Sequence, residues 1–253
     1  MTALLGLLLC LALAAPAWAG LPEVIAQVKP SVVGIGTHLV TRRPPDKLAG
    51  TGFVVGEGNW VATNLHVVRP LLLEADPKER LVAYLGQGER ARRRTLTVLA
   101  EDPDHDLVLL RMDGPPALPL RFSREPVREG EAVAFTGFPI GAALGLYPVT
   151  HRGIVSAISP IAIPVVDPKD LDVAMIRRLR DPFPVLQLDA TAYPGNSGSP
   201  LYRIRDGLVV GIVNSVFVKG SKEKVLSDPS GISYAIPVRH LEALMGRAAA
   251  AQP

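Results

Sequence analysis

Twelve short apolar runs, rich in β-branched residues and broken by Gly, Pro and Asp, narrow what this 253-residue chain can fold into. Six come first, at Val32–Leu39, Gly52–Val55, Trp60–Thr63, Leu81–Leu85, Thr95–Ala100 and Leu107–Leu110. Six more follow, at Ala132–Thr136, Tyr147–Ile158, Val185–Asp189, Pro200–Ile204, Val209–Asn214 and Ser233–Pro237. Runs of this kind, bounded by turn residues, read as strands rather than helices. Between the sets lies "MDGPPALPLRFSREPVREG", Met112 to Gly130, a proline-rich stretch without periodicity. The expected fold is all-β: two packed six-stranded antiparallel barrels, the first over about residues 31–111, a connector over 112–130 and the second over about 131–238. Helices are expected only at Leu21–Val28, closed off before Pro30, at Arg239–Ala250, and at Asp170–Arg180. The last sits inside the long Pro160–Pro184 connection, and a connection of that length is usually functional or mobile.

Residues 1–19, "MTALLGLLLCLALAAPAWA", form an apolar segment ending in the A-x-A pattern Ala17-Trp18-Ala19. That pattern predicts a secretory signal peptide and an exported chain, periplasmic or secreted; an uncleaved membrane anchor is the rival reading. The single cysteine, Cys10, falls inside this segment, so the exported chain is expected to hold together through its core without disulfides. No later run is long enough to span a bilayer. The net charge of +3 is small, and the densest basic cluster, Glu89–Arg94, reads as a solvated hairpin tip rather than a nucleic-acid surface. No metal spacing, phosphate loop or dinucleotide fingerprint is present, so neither a metal nor another cofactor is expected.

The stretch "YPGNSGSPL", Tyr193 to Leu201, concentrates turn formers around Ser197. A serine hydroxyl becomes a nucleophile only with a base to take its proton, a carboxylate to orient that base, and donors for the oxyanion. Gly195 permits a turn that aims the N–H groups of Gly195 and Ser197 at one point. His66, in "WVATNLHVV", follows a strand and a Thr63-Asn64 punctuation and is the candidate base. The other histidines compete poorly: His38 and His151 lie within strands, His105 adjoins a better candidate, and His240 lies in the terminal helix. Asp106, in "EDPDHDLVLLRM", precedes a strand directly, which allows the partial burial an orienting acid needs. The order His66, Asp106, Ser197 is that of the chymotrypsin fold.

Several motifs in register resemble the protease domain of the HtrA/DegP family: "LPEVIAQVKPSVVGI", "GTGFVV…NWVATNLHVV", "DPDHDLVLLR", "GFPIG…VTHRGIVSAIS", "LQLDATAYPGNSGSPL" and "GISYAIPVRHL". The resemblance implies a serine endopeptidase acting on unfolded or damaged polypeptides. It implies His66 as general base, Asp106 as its orienter, Ser197 as nucleophile and Gly195 with Ser197 as the oxyanion hole. It further implies that Asn214, Ser215 and Val216 pair with the substrate backbone as an added strand, and that the protein forms a homotrimer. A catalytically silent peptide-binding or chaperone-like protein of the same fold is the alternative, and an esterase is a third reading.

The chain departs from that family in three places. After the closing strand only Val238–Pro253 follows, so a protease domain without a PDZ module is expected. Ser199 stands where the family carries glycine, as in glutamyl endopeptidases. Those enzymes place a histidine on the next strand, and Val209–Val218 has none, which argues against glutamate specificity. Thr191, Ala192 and Val216 point instead to a shallow pocket for a small aliphatic side chain. Asn196 stands where zymogen-type relatives place an aspartate that pairs with a new N-terminal amine, so control is expected from loop ordering, with Pro160–Pro184 as the leading segment.

Overall fold

The computed structural model describes residues 20–73, 76–139, 145–160, 182–214 and 231–251. The signal segment, the expected helix at Asp170–Arg180, and Ser215 and Val216 lie outside them. Strands β1 (Val32–His38), β2 (Asp46–Val55), β3 (Trp60–Asn64), β4 (Arg80–Leu85), β5 (Arg92–Asp102) and β6 (Leu107–Met112) close a first antiparallel barrel in the order β1-β2-β3-β6-β5-β4. Strands β7 (Ala132–Gly137), β8 (Val149–Pro160), β9 (Pro184–Asp189), β10 (Pro200–Arg203), β11 (Val209–Asn214) and β12 (Ile232–Pro237) close a second in the order β10-β11-β12-β9-β8-β7. The expected all-β architecture of two six-stranded barrels is therefore the one observed. Closure pairs strand edges that an open sheet would leave exposed.

Strands run beyond their apolar cores where polar residues occupy the wet face. β5 starts at Arg92, and Arg92, Arg93 and Arg94 pair with Leu85, Tyr84 and Ala83. The basic cluster is thus largely strand, and only a 3₁₀ turn at Gly88–Arg90 forms the tip. The larger departure is helix α2 (Leu65–Leu73), a helix that is not among those expected from the sequence. Thr63 and Asn64 are not punctuation but the fully buried end of β3. Leu65, Val68 and Leu71 then carry the i, i+3 spacing of a packed helical face, despite Pro70 inside the helix.

Helix α1 (Leu21–Val28) and helix α3 (Val238–Ala250) match their expected positions and pack at the junction of the barrels. Val24 and Val28 pack with Val32 of the first barrel and with Ala134, Phe138 and Tyr202 of the second. Leu241 and Leu244 share one cluster with Phe53, Leu107 and Leu109 of the first barrel and with Ile212 and Ile236 of the second. Each such side chain contributes roughly 1.5–3 kcal/mol by leaving water, so the barrels are fastened to each other by apolar surface. Arg203, only 2% exposed, fastens the connector. Its guanidinium donates to Glu131 at 2.8 Å, to Ser123 Oγ at 2.6 Å, and to the carbonyls of Glu125 and Pro126 at 3.0 and 2.8 Å. A buried cation survives in the core only when paired and bonded in this way.

Candidate active site

The two ends of β3 and β6 bring His66 and Asp106 together. Asn64 pairs with Leu107 in the ladder, so the residues next outside that pair, Leu65–His66 and Asp106, stand side by side. Asp106 adopts φ +54, a left-handed conformation uncommon for a non-glycine residue. Its surroundings hold it there. Its carbonyl accepts from Leu65 N–H at 3.0 Å and from Asn64 Nδ2 at 3.2 Å. Its carboxylate accepts His66 N–H on Oδ1 at 2.9 Å, His66 Nδ1 on Oδ2 at 2.5 Å, and Asn214 Nδ2 on Oδ2 at 2.7 Å. With its carboxylate bonded to both Nδ1 and the backbone N–H of His66, Asp106 places the proton on Nδ1 and leaves Nε2 as the basic nitrogen. The Asp106 side chain is 11% exposed and that of His66 27%, so the acid is sheltered while the imidazole remains reachable.

Ser197 arrives from the second barrel, in the turn between β9 and β10. Asn196 N–H donates to the Tyr193 carbonyl at 2.9 Å, closing a turn with Pro194 and Gly195 at its centre. Gly195 has φ +98, which suits the third position of a type II turn and is costly for any side-chain-bearing residue. The turn is seated on the first barrel: Thr51 N–H donates to the Ser197 carbonyl at 3.0 Å. Gly198 N–H donates to the Val213 carbonyl and Val213 N–H to the Ser199 carbonyl, both at 2.9 Å, so the Ser197 turn and Asn214 are set by the same strand. His66 and Asp106 are thus in direct contact, while the turn carrying Gly195 and Ser197 is seated on Thr51 and tied to the strand whose Asn214 bonds Asp106.

Residues 50–212 match the family described as the trypsin-like peptidase domain. The chain belongs to the trypsin-like peptidases. Among curated relatives, this peptidase is 31% identical over 206 residues to a probable periplasmic serine endoprotease, DegP-like, of Chlamydia muridarum, covering 81% of this chain and 35% of that one. It is 33% identical over 231 residues to the mitochondrial serine protease HTRA2 of Bos taurus, covering 89% and 42%. The chain thus spans about a third to two-fifths of the length of these relatives, which are of HtrA type as the motifs implied. Among solved structures, Rv3671c of M. tuberculosis H37Rv in its inactive form superposes with TM-score 0.63 at 22% identity, over 94% of this chain and 96% of that one.

Asn196 is fully buried in this trypsin-like peptidase, and neither atom of its amide makes a hydrogen bond. An ionised aspartate there would be a buried charge without a partner, a far larger cost than a neutral amide. Of the residues expected to contact substrate, Thr191, Ala192 and Asn214 are among the described residues. Ala192 is buried in the core of the second barrel. Asn214 turns its side chain to Asp106, and its backbone already pairs with Tyr234 of β12. Thr191 is half-buried beside Ala192, and Ser215 and Val216 fall outside the described residues.

Sequence reading missed a brace behind Asp106. His105 Nδ1 lies 3.0 Å from both Asp102 carboxylate oxygens, and Arg247 of α3 donates to Asp102 Oδ2 at 2.9 Å. His105 stacks on His240 of α3 at 3.9 Å between ring centroids, with Phe183 edge-on to both. Burial, then the charges of His105 and Arg239, push His240 down from 6.5 to about 4, against the opposing pull of Asp102. Burial alone would raise Asp102, but the hydrogen bonds and charge of His105, with Arg247 behind, bring it from 3.8 to about 2. A depressed histidine favours the native state while it stays neutral. Its contribution is complete above pH 6.5 and is lost as pH falls towards 4, because the unfolded chain takes up the proton first. The Asp102 contribution persists to lower pH, fading from 3.8 towards 2. Thermal midpoints should fall between pH 6.5 and 4, and H240F should flatten that fall; parallel slopes for both proteins would exclude His240 as the cause.

Proposed function

We propose that this chain is an exported serine endopeptidase that cleaves unfolded or damaged polypeptides through a Ser-His-Asp triad and an acyl-enzyme. The observation that carries the reading is the Asp106 carboxylate, which receives both the ring and the backbone N–H of His66. Ser197 Oγ attacks the scissile carbonyl while His66 Nε2 takes its proton. Asp106 orients the ring and stabilises the imidazolium without itself taking the proton. The N–H groups of Gly195 and Ser197 receive the oxyanion, and preorganised donors of this sort supply a large share of the rate. The imidazolium returns the proton to the leaving amine, and water then repeats the cycle on the ester. No step calls for a metal.

Export rests on the A-x-A segment at residues 1–19 and on relatives named periplasmic. The unfolded-polypeptide substrate and a homotrimeric assembly rest on the family resemblance. A fluorophosphonate probe tests the chemistry: it should label the folded wild type, and S197A should take up none. A folded wild type that stays unlabelled would overturn the hydrolase reading in favour of a peptide-binding protein of the same fold. Casein turnover against that of a small ester separates endopeptidase from esterase, and N-terminal sequencing of exported protein should begin at Gly20.

A further inference from the structure

Thr51 belongs to β2 of the first barrel, yet three of its hydrogen bonds reach into the second. It is fully buried. Its N–H donates to the Ser197 carbonyl at 3.0 Å, and its Oγ1 donates to the Gly195 carbonyl at 2.7 Å. The same Oγ1 accepts from Phe138 N–H at 2.9 Å, and the Thr51 carbonyl accepts from Thr63 Oγ1 at 2.6 Å. Because an amide N–H can only donate, Phe138 occupies a lone pair of Oγ1 and the hydroxyl proton is left for Gly195. The result is a directed relay, Phe138 N–H to Thr51 Oγ1–H to Gly195 C=O, in which each bond polarises the next.

We propose that Thr51 is a positioning residue for the oxyanion hole, an inference that rests on the hydrolase reading above. Both oxyanion donors sit in the stretch that Thr51 pins. Its hydroxyl fixes the carbonyl end of Gly195 and its backbone fixes the carbonyl end of Ser197. At φ +98, Gly195 has no side chain to restrain it, and rotation about its backbone would swing its N–H away from the oxyanion. The hydroxyl on Gly195 C=O resists that rotation from a barrel that does not carry the nucleophile. A residue of the histidine-bearing barrel thereby sets the geometry of the serine-bearing one.

The test compares T51V, which keeps the shape and loses the donor, with T51S, which keeps the donor, and T51C, which offers a weak one. All are measured as full-length exported protein at a temperature where circular dichroism shows them folded. T51V should lower kcat by about 10²-fold with KM within about twofold, the order seen when one oxyanion donor is removed, and should weaken a peptide boronate inhibitor in parallel. T51S should restore kcat to within about threefold and T51C should fall between, since a thiol donates weakly. If T51V does not fold, T51C against T51S carries the comparison. Folded T51V or T51C with wild-type kcat would overturn the proposal, and so would a loss that T51S leaves unrepaired. Probe labelling of the wild type keeps the two claims apart, since its failure strikes the hydrolase reading alone.

Discussion

D106N is expected to keep the fold and to lower turnover by about 10⁴-fold, the order found when the orienting aspartate of such a triad becomes asparagine. The reason lies in what surrounds the carboxylate. Oδ1 receives His66 N–H, and Oδ2 receives His66 Nδ1 and Asn214 Nδ2. An amide has one acceptor and one donor, so either orientation sets an NH₂ against a donor. With NH₂ at the Oδ1 position it opposes the backbone N–H of His66. At the Oδ2 position it opposes Asn214 and forces the imidazole to accept on Nδ1. The ring proton then moves to Nε2, where it blocks removal of the Ser197 proton. Steady-state kinetics of D106N beside a urea titration would read both halves of the expectation. A kcat within about tenfold of wild type would remove Asp106 from the orienting role.

G198A is expected to be the most destabilising single-methyl addition at the site. Gly198 has φ +86, and a Cβ on it would lie 2.0 Å from the Thr51 carbonyl oxygen and 2.3 Å from Thr63 Oγ1. Neither neighbour is the free end of a flexible chain. The first is backbone in a barrel ladder, and the second is fully buried and bonded to it at 2.6 Å. Backbone strain and steric displacement therefore add, for a cost on the order of 4 kcal/mol. In a domain of this size that corresponds to a midpoint lowered by roughly 10 °C. Differential scanning calorimetry of G198A reads it directly; a midpoint within about 3 °C of wild type would mean that the barrels separate there at little cost.

The strands were legible because each carries an apolar face that only burial satisfies, and all twelve runs fall on observed strands. His66, Asp106 and Ser197 could be singled out as candidates because each lies beside such a run. Helix α2 was not, since Pro70 and the β-branched Val67 and Val68 mask a helical face of only three residues. Thr51 and the bond from Asn214 to Asp106 were hidden for another reason. Their partners stand 144 and 108 residues away in sequence, and local periodicity carries no record of contacts closed at that range. Arg203 was hidden likewise: in "PLYRIR" it looks like a strand-end surface residue, and only the connector folded over it shows why it is buried.

The apolar clusters shared by the barrels and α3 have a mechanical consequence. For the barrels to part like a jaw, Leu241 and Leu244 would have to leave either Leu107 and Leu109 or Ile212 and Ile236. The Arg203 clamp denies the connector the slack of a hinge. The two barrels are therefore held as one block, and a displacement in one is carried to the other rather than absorbed at a hinge.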